Sequence, residues 1–66
     1  MLIKESDIDE LDVVQLKDGR ECTILEIFQI EGDKPDYLVE FSDGETDLAE
    51  ISFDQVGKVI WKLKSN

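Results

Sequence analysis

The chain has 66 residues, 17 acidic side chains, 7 basic ones and no histidine, and its formal net charge at pH 7 is -10. A chain this short forms one domain with a small core, so we expect its function to lie on the surface rather than in a deep pocket. Cys22 is the only cysteine. An internal disulfide is therefore excluded, and a zinc site would lack its usual ligands.

The negative charge also bears on the choice of partners. Clustered lysines and arginines bind phosphate groups and anionic lipids, so we expect neither direct nucleic-acid binding nor membrane binding. The sequence has no apolar run long enough to cross a membrane and no signal-peptide stretch, which predicts a cytoplasmic protein. Two interpretations of the acidity stay open: it keeps a small protein soluble, or it attracts a basic partner.

The first predicted elements are an N-terminal extension and a β-hairpin. Residues 1–11 mix acidic with apolar side chains, and we expect them either to fray or to form one short helical turn. The pair Asp18-Gly19 lies between two β-branched runs, which predicts a type I′ turn between strands at 13–17 and 20–30. The second strand carries apolar residues on both faces, so we expect it to bend.

The same turn signal recurs further along the chain. The pair Asp43-Gly44 lies between apolar runs and predicts a second hairpin with strands at 37–42 and 45–51. Residues 52–56 favour a single 3₁₀ turn rather than a third hairpin. Residues 57–63 then form the last strand.

Five strands in this order predict an all-β fold over residues 1–66: a small five-stranded SH3-like barrel with a short 3₁₀ turn before the last strand. Closure into a barrel would reduce the two open edges of a plain sheet. The segments 11–19 and 23–28 resemble the opening hairpin of KOW-like and related SH3-like barrels. Segment 37–46 is similar to one in short, uncharacterised bacterial proteins that look like stand-alone SH3-like barrels. The resemblance covers about residues 10–63 and implies the fold, without an activity.

No set of residues predicts catalysis. General acid–base chemistry needs a carboxyl whose pKa is raised by burial in a cleft, and the paired carboxylates here lie in hydrophilic turns. A nucleophile at Cys22 would have no histidine as its base, and we expect this thiol to pack as a small apolar residue. The acidic segment 43–50 lacks the spacing of a calcium-binding EF-hand loop. We therefore predict no enzyme, with no catalytic residue, cofactor or metal site.

Recognition is expected to use side chains that the core does not need. We expect Phe41, Phe53 and Trp61 to pack inside and Tyr37 to be at least half exposed. With Trp61 inside, strand alternation places Ile60 on the outer face.

Three lysines at 58, 62 and 64 surround this isoleucine, and residues 58–66 hold no acid. The lysines either protect an exposed sheet edge, or contact an acidic partner or a second copy of the chain. If the lysines protect an edge, we expect a monomer. If they contact a second copy, we expect a weak homodimer. The predicted partner-contact residues are Tyr37, Lys58, Ile60 and Lys62.

Acidity, small size and the lack of catalytic groups favour a non-catalytic protein-interaction module. Such a module would mask a partner protein in the manner of an immunity or antitoxin protein. The alternative is a polyanion mimic that occupies a nucleic-acid-binding groove. A mimic needs carboxylates spread over one face at phosphate-like spacings, whereas a generic module has them scattered over loops.

Overall fold

The computed structural model describes residues 3–44 and 48–63, and its regular structure consists of strands and two 3₁₀ turns. The 3₁₀ turns cover Glu5–Asp7 and Phe53–Gln55, the second of which directly precedes the last strand. The predicted all-β fold with a 3₁₀ turn before its last strand is confirmed. The strands are β1 (Val13–Leu16), β2 (Glu21–Phe28), β3 (Asp36–Phe41), β4 (Ala49–Ser52) and β5 (Val56–Trp61).

The five strands form one sheet in the order β4-β3-β2-β1-β5, and each neighbouring pair is antiparallel. The sheet is not closed, because β4 and β5 are its two edge strands. The four-residue β4 ends at Ser52, and the 3₁₀ turn then separates it from β5. Closure into a barrel is therefore not found among the described residues.

The first hairpin forms where Asp18-Gly19 predicts it, but with a different turn. The Gly19 N–H donates to the Leu16 carbonyl at 2.9 Å, and the Leu16 N–H donates to the Arg20 carbonyl at 2.7 Å. Gly19 has φ of 97° while Asp18 keeps a negative φ, so the predicted type I′ turn is wrong. The loop has three residues and ends on a glycine in the left-handed region. Such a loop needs only one residue with positive φ, whereas a type I′ turn needs two.

The register of β3 and β4 centres the second chain reversal on Gly44, because Val39 pairs with Ala49 and these two positions are equally distant from that glycine. The reversal therefore lies at the predicted Asp43-Gly44 pair. Gly44 has φ of 75°, but Asp43 does not have the positive φ that a type I′ turn needs, so this turn type is wrong here as well. The described part of β4 begins at Ala49, and residues 45–47, where the predicted strand starts, lie outside the described part of the chain.

The predicted bend in the second strand is confirmed. The register between β2 and β3 shifts between Ile24 and Glu26, which leaves Leu25 as an extra residue. Before the shift Ile24 is fully buried, and after it Glu26 is exposed while Ile27 packs against the core. One extra residue in a strand exchanges its two faces, so β2 uses the apolar residues of both.

The core lies on the inner face of the sheet and contains side chains from every strand. Cys22 and Phe41 are buried, as predicted, and Phe53 packs against the core while partly exposed. Ile8 from the N-terminal segment is also buried, so residues before β1 contribute to the core. The buried hydrophobic residues are Ile8, Val14, Leu16, Cys22, Ile24, Tyr37, Val39, Phe41, Ile51 and Val56.

Trp61 is not in the core. Its side chain is 52% exposed. In the pairing of β5 with β1, Val13 faces Trp61 and Val14 faces Val59, so Ile60 is an extra residue between them. The strict alternation assumed for this strand is therefore broken, and Trp61 turns to the outer face of the sheet. The expectation of a buried tryptophan is wrong for this reason.

Candidate functional site

Tyr37 lies inside the sheet rather than on a contact surface. Its side chain is 1% exposed, and it shares a face of β3 with the buried Val39 and Phe41. The expectation that it is at least half exposed is wrong because this alternation directs it into the core. Tyr37 therefore does not belong to the surface that a partner can reach.

The Tyr37 hydroxyl has no hydrogen-bond partner in the part of the chain that the structure describes. Burial raises the pKa of the phenol to about 12, and the negative charge of Glu5 adds to this effect. The group therefore stays neutral across the physiological range.

The other three predicted contact residues lie together along a groove. The groove is open, has a volume of about 920 Å³ and runs beside β5, where it is lined by Lys58, Ile60 and Lys62. Its opposite side is formed by the N-terminal segment. There the lining residues are Ile3, Ser6, Asp7 and Asp9.

Lys62 is engaged within the chain. Its ammonium donates to the Asp12 carboxylate and to the Asp7 carbonyl, the latter at 2.7 Å, and it lies 3.5 Å from the Asp9 carboxylate. These contacts attach the end of β5 to the N-terminal segment. Of the predicted lysines, Lys58 is exposed on β5 and Lys64 lies outside the described residues.

Asp12 is a buried carboxylate with several donors around it. The side chain is 1% exposed. It accepts hydrogen bonds from the N–H of Asp9 at 2.9 Å and of Leu63 at 3.4 Å, besides the Lys62 ammonium. Burial raises the pKa of Asp12, but these hydrogen bonds and the charge of Lys62 outweigh it, so the pKa lies below its ordinary value.

Sequence reasoning missed this ion pair, which we call the Asp12–Lys62 pair. The two residues are 50 positions apart. Strand assignment alone does not bring them together, but the register that pairs Val13 with Trp61 does. The usable signal was one acid directly before the first strand and one lysine directly after the last, in a sheet where these strands are neighbours.

Exposed apolar side chains gather beside this ion pair. We name this group the apolar patch. It comprises four of the large hydrophobic residues that are at least two-fifths exposed, all at the end where β1 begins and β5 ends. The members are Leu11, Ile60, Trp61 and Leu63.

The outer side of β2, β3 and β4 carries carboxylates instead. In the register, Glu26 and Glu50 both face Leu38, which lies between two buried residues and so points outward. Asp36 and Glu40 flank Leu38 on the same face of β3. We name this surface the acidic face. Its members are Glu21, Glu26, Asp36, Glu40 and Glu50.

No basic residue lies within β2, β3 or β4. Across residues 3–44 and 48–63, no ion pair involves a member of the acidic face. The neighbouring cations are held elsewhere: Arg20 pairs with Asp18 and Lys34 with Asp54, each at 2.8 Å. Within the described part of the chain, the acidic face is therefore an anionic surface without ion pairs.

Cys22 offers no exposed nucleophile. It is a free thiol with no exposed surface. Burial raises its pKa to about 11, although the nearby Arg20 charge acts in the opposite direction. Because the thiolate is the reactive form, the geometry keeps this residue inert near neutral pH.

No protein-family model matches the sequence, and no characterised protein or solved structure is significantly similar to it. The resemblance to KOW-like barrels thus stays a prediction. The described segments contain no helix long and apolar enough to span a bilayer. They also contain no group of three or more His, Cys, Asp or Glu side chains that could hold a metal ion.

Proposed function

We propose that the chain is a non-catalytic, SH3-like interaction module that binds a basic protein partner through its acidic face. The observation that carries the proposal is a sheet surface with five carboxylates and no ion pair among the described residues. The strand order with a 3₁₀ turn before β5 supports the SH3-like assignment.

Strands are suitable supports for such a surface. Glu26 and Glu50 lie on either side of Leu38, two strand spacings or about 10 Å apart, in a register fixed by the core side chains opposite. Carboxylates on loops would have to be ordered on binding, whereas these are already positioned. A pre-positioned anionic surface raises the rate and selectivity of association with a cationic one.

The test compares two doubly substituted variants of equal net charge. Glu26→Gln with Glu50→Gln removes two charges from the acidic face, and Glu5→Gln with Glu31→Gln removes two exposed charges elsewhere. Each tagged protein is used to isolate partners from the source cell at low and high salt, and the binding of each isolated partner is then measured.

We expect the first variant to lose the wild-type partner at low salt and the second to keep it. High salt should weaken the wild-type complex, since exposed charges are screened over about 8–10 Å. Equal retention by both variants would contradict the proposal, because only net charge would then matter.

The arrangement of the carboxylates also favours a second candidate, a polyanion mimic. Asp36 and Glu40 are four residues apart on one strand, which is about 13 Å. A duplex of that length carries about eight phosphates, of which about half face any one side. The acidic face therefore presents a charge similar to that of one side of a duplex.

Competition separates the two candidates. If the module is a mimic, a short DNA or RNA duplex should displace the isolated partner in proportion to its concentration, at constant ionic strength. If neither duplex displaces the partner, mimicry is excluded and the interaction module remains the proposed function.

A further inference from the structure

The apolar patch exists because of the register shift in β5. Ile60 is the extra residue between the partners of Val13 and Val14, and it turns the following Trp61 outward. Leu63 follows two residues later and is also 52% exposed. A chain with a small core gains stability from each buried apolar side chain, so a tryptophan that stays 52% exposed leaves apolar surface that a partner can cover.

The patch is held in place rather than frayed. The Leu63 N–H donates to the Asp12 carboxylate, which is itself buried and paired with Lys62. Val13, the cross-strand partner of Trp61, lies on β1, which is hydrogen-bonded to β2 on one side and to β5 on the other. Residues presented by ordered strands lose little conformational entropy on binding, as expected of an interface anchor.

The apolar patch and the acidic face belong to one surface. A single row of register partners crosses four strands, from Trp61 to Val13, then to Thr23, and on to Glu40. The row spans three strand spacings, which is about 14 Å. One partner can therefore contact Trp61 and the carboxylates at the same time.

Charge decides which partner fits. The groove beside Trp61 is lined by Asp7 and Asp9, and Lys62 there is already paired with Asp12. Two copies of a chain with a net charge of -10 repel each other. A cationic partner is attracted by the same charge.

We propose that Trp61, supported by the rest of the apolar patch, is the apolar anchor of the interface with that cationic partner protein. This inference rests on the proposed function. The partner would present an apolar pocket surrounded by lysine or arginine side chains, with the pocket over Trp61 and the basic groups over the acidic face. Tryptophan is the residue type most often found at the energetic centre of such interfaces.

The test uses the fluorescence of Trp61, which is the only tryptophan in the chain. Two dye-labelled ten-residue peptides serve as probes, one alternating lysine with leucine and the other alternating lysine with serine, so their charges are equal. Binding is measured by anisotropy, and the tryptophan emission is recorded separately with unlabelled peptide. The variants are Trp61→Ser, Leu63→Ser and, as a matched control, Leu48→Ser, whose side chain is 54% exposed directly before β4.

We expect the lysine–leucine peptide to bind roughly 30-fold more tightly than the lysine–serine peptide and to shift the Trp61 emission to shorter wavelength. Trp61→Ser should abolish this preference, Leu63→Ser should reduce it, and Leu48→Ser should preserve it. Circular dichroism and thermal unfolding establish that each variant is folded.

The two proposals fail in different ways. Equal binding of both peptides, or a preference that survives in folded Trp61→Ser and Leu63→Ser, overturns the anchor alone. Binding of neither peptide overturns the proposed function and the anchor with it. An emission shift that depends only on protein concentration would show that a second copy covers the patch, and would overturn the assignment to a cationic partner.

Discussion

Asp12 and Tyr37 are both about 1% exposed and both carry a polar group, but the chain treats the two groups differently. The Asp12 carboxylate receives two backbone N–H groups and the Lys62 ammonium. The Tyr37 hydroxyl receives no partner among the described residues. The difference follows from position, since Asp12 lies where two chain segments meet and the Tyr37 side chain points from the start of β3 into the apolar core.

The comparison shows that burial of a polar group does not by itself determine its effect on stability. A buried group that is fully hydrogen-bonded stabilises the fold or is neutral, while one without a partner is destabilising. Asp12 should therefore stabilise the protein, and the Tyr37 hydroxyl should destabilise it although its ring stabilises the core.

The largest effect is expected for Asp12→Ala. It removes the buried carboxylate partner of Lys62 and leaves the N–H groups of Asp9 and Leu63 without the acceptor that Asp12 supplies, so we expect a loss of about 2–3 kcal/mol in the free energy of unfolding. Urea unfolding measures it. The control is Asp18→Ala, which removes an exposed ion pair with Arg20 and the hydrogen bond from the Arg20 N–H, and it should cost clearly less than Asp12→Ala. Equal losses in the free energy of unfolding for the two variants would mean that the buried Asp12 carboxylate stabilises the protein no more than an exposed one.

An effect of opposite sign is expected for Tyr37→Phe. Removing a buried hydroxyl without a partner while retaining the ring should raise the free energy of unfolding by about 1 kcal/mol. Tyr37→Leu serves as its counterpart, since it removes the ring as well and should destabilise the core. A phenylalanine variant less stable than the wild type would show that the hydroxyl finds a partner, such as water, in solution.

Acid should remove part of the contribution of Asp12. Its pKa is lowered in the folded state, so its stabilisation is present above the unfolded pKa of about 3.9 and is lost as the pH falls through the lower folded value. We expect the stability difference between wild type and Asp12→Asn to shrink from pH 6 to pH 2. The change should be smaller than that caused by Asp12→Ala, because a protonated carboxyl still accepts hydrogen bonds. A constant difference over this range would contradict the lowered pKa.

The rate at which a reagent modifies the Cys22 thiol reports how often the core opens, and it needs no substitution in the core. Its thiol is buried beside the other core residues, and its pKa is raised to about 11 by burial. We expect a thiol reagent at pH 8 to modify it slowly in the native protein and at least about a thousandfold faster in denaturant. Similar rates in both conditions would indicate that the core opens frequently. Water would then reach the Tyr37 hydroxyl.

Local sequence signals predicted the positions of the strands and turns better than they predicted which side chains face the core. The glycine of Asp18-Gly19 placed the first hairpin, and the two-faced apolar pattern of β2 predicted its bend. The turn type at Gly19 was not predictable, because a hairpin loop of two or three residues satisfies the same dipeptide. Tyr37 and Trp61 were interchanged between core and surface.

That interchange has one physical cause at each site. The alternation of β3 directs Tyr37 inward, on the same face as the buried Val39 and Phe41. Trp61 follows an extra residue in β5 that no local pattern reveals, since the shift depends on pairing with β1. The Asp12–Lys62 pair was beyond local reasoning for the same reason, because it depends on a contact across 50 residues.

The antiparallel pairing of β1 with β5 has a mechanical consequence. Asp12 and Lys62 stand at the same end of this strand pair, one entering it and the other leaving it. A force that pulls these two positions apart acts along the inter-strand hydrogen bonds, because those bonds are perpendicular to the strands. The Asp12–Lys62 pair is the first contact to carry the load, and once it breaks the strands separate by peeling, one bond after another, rather than by shear.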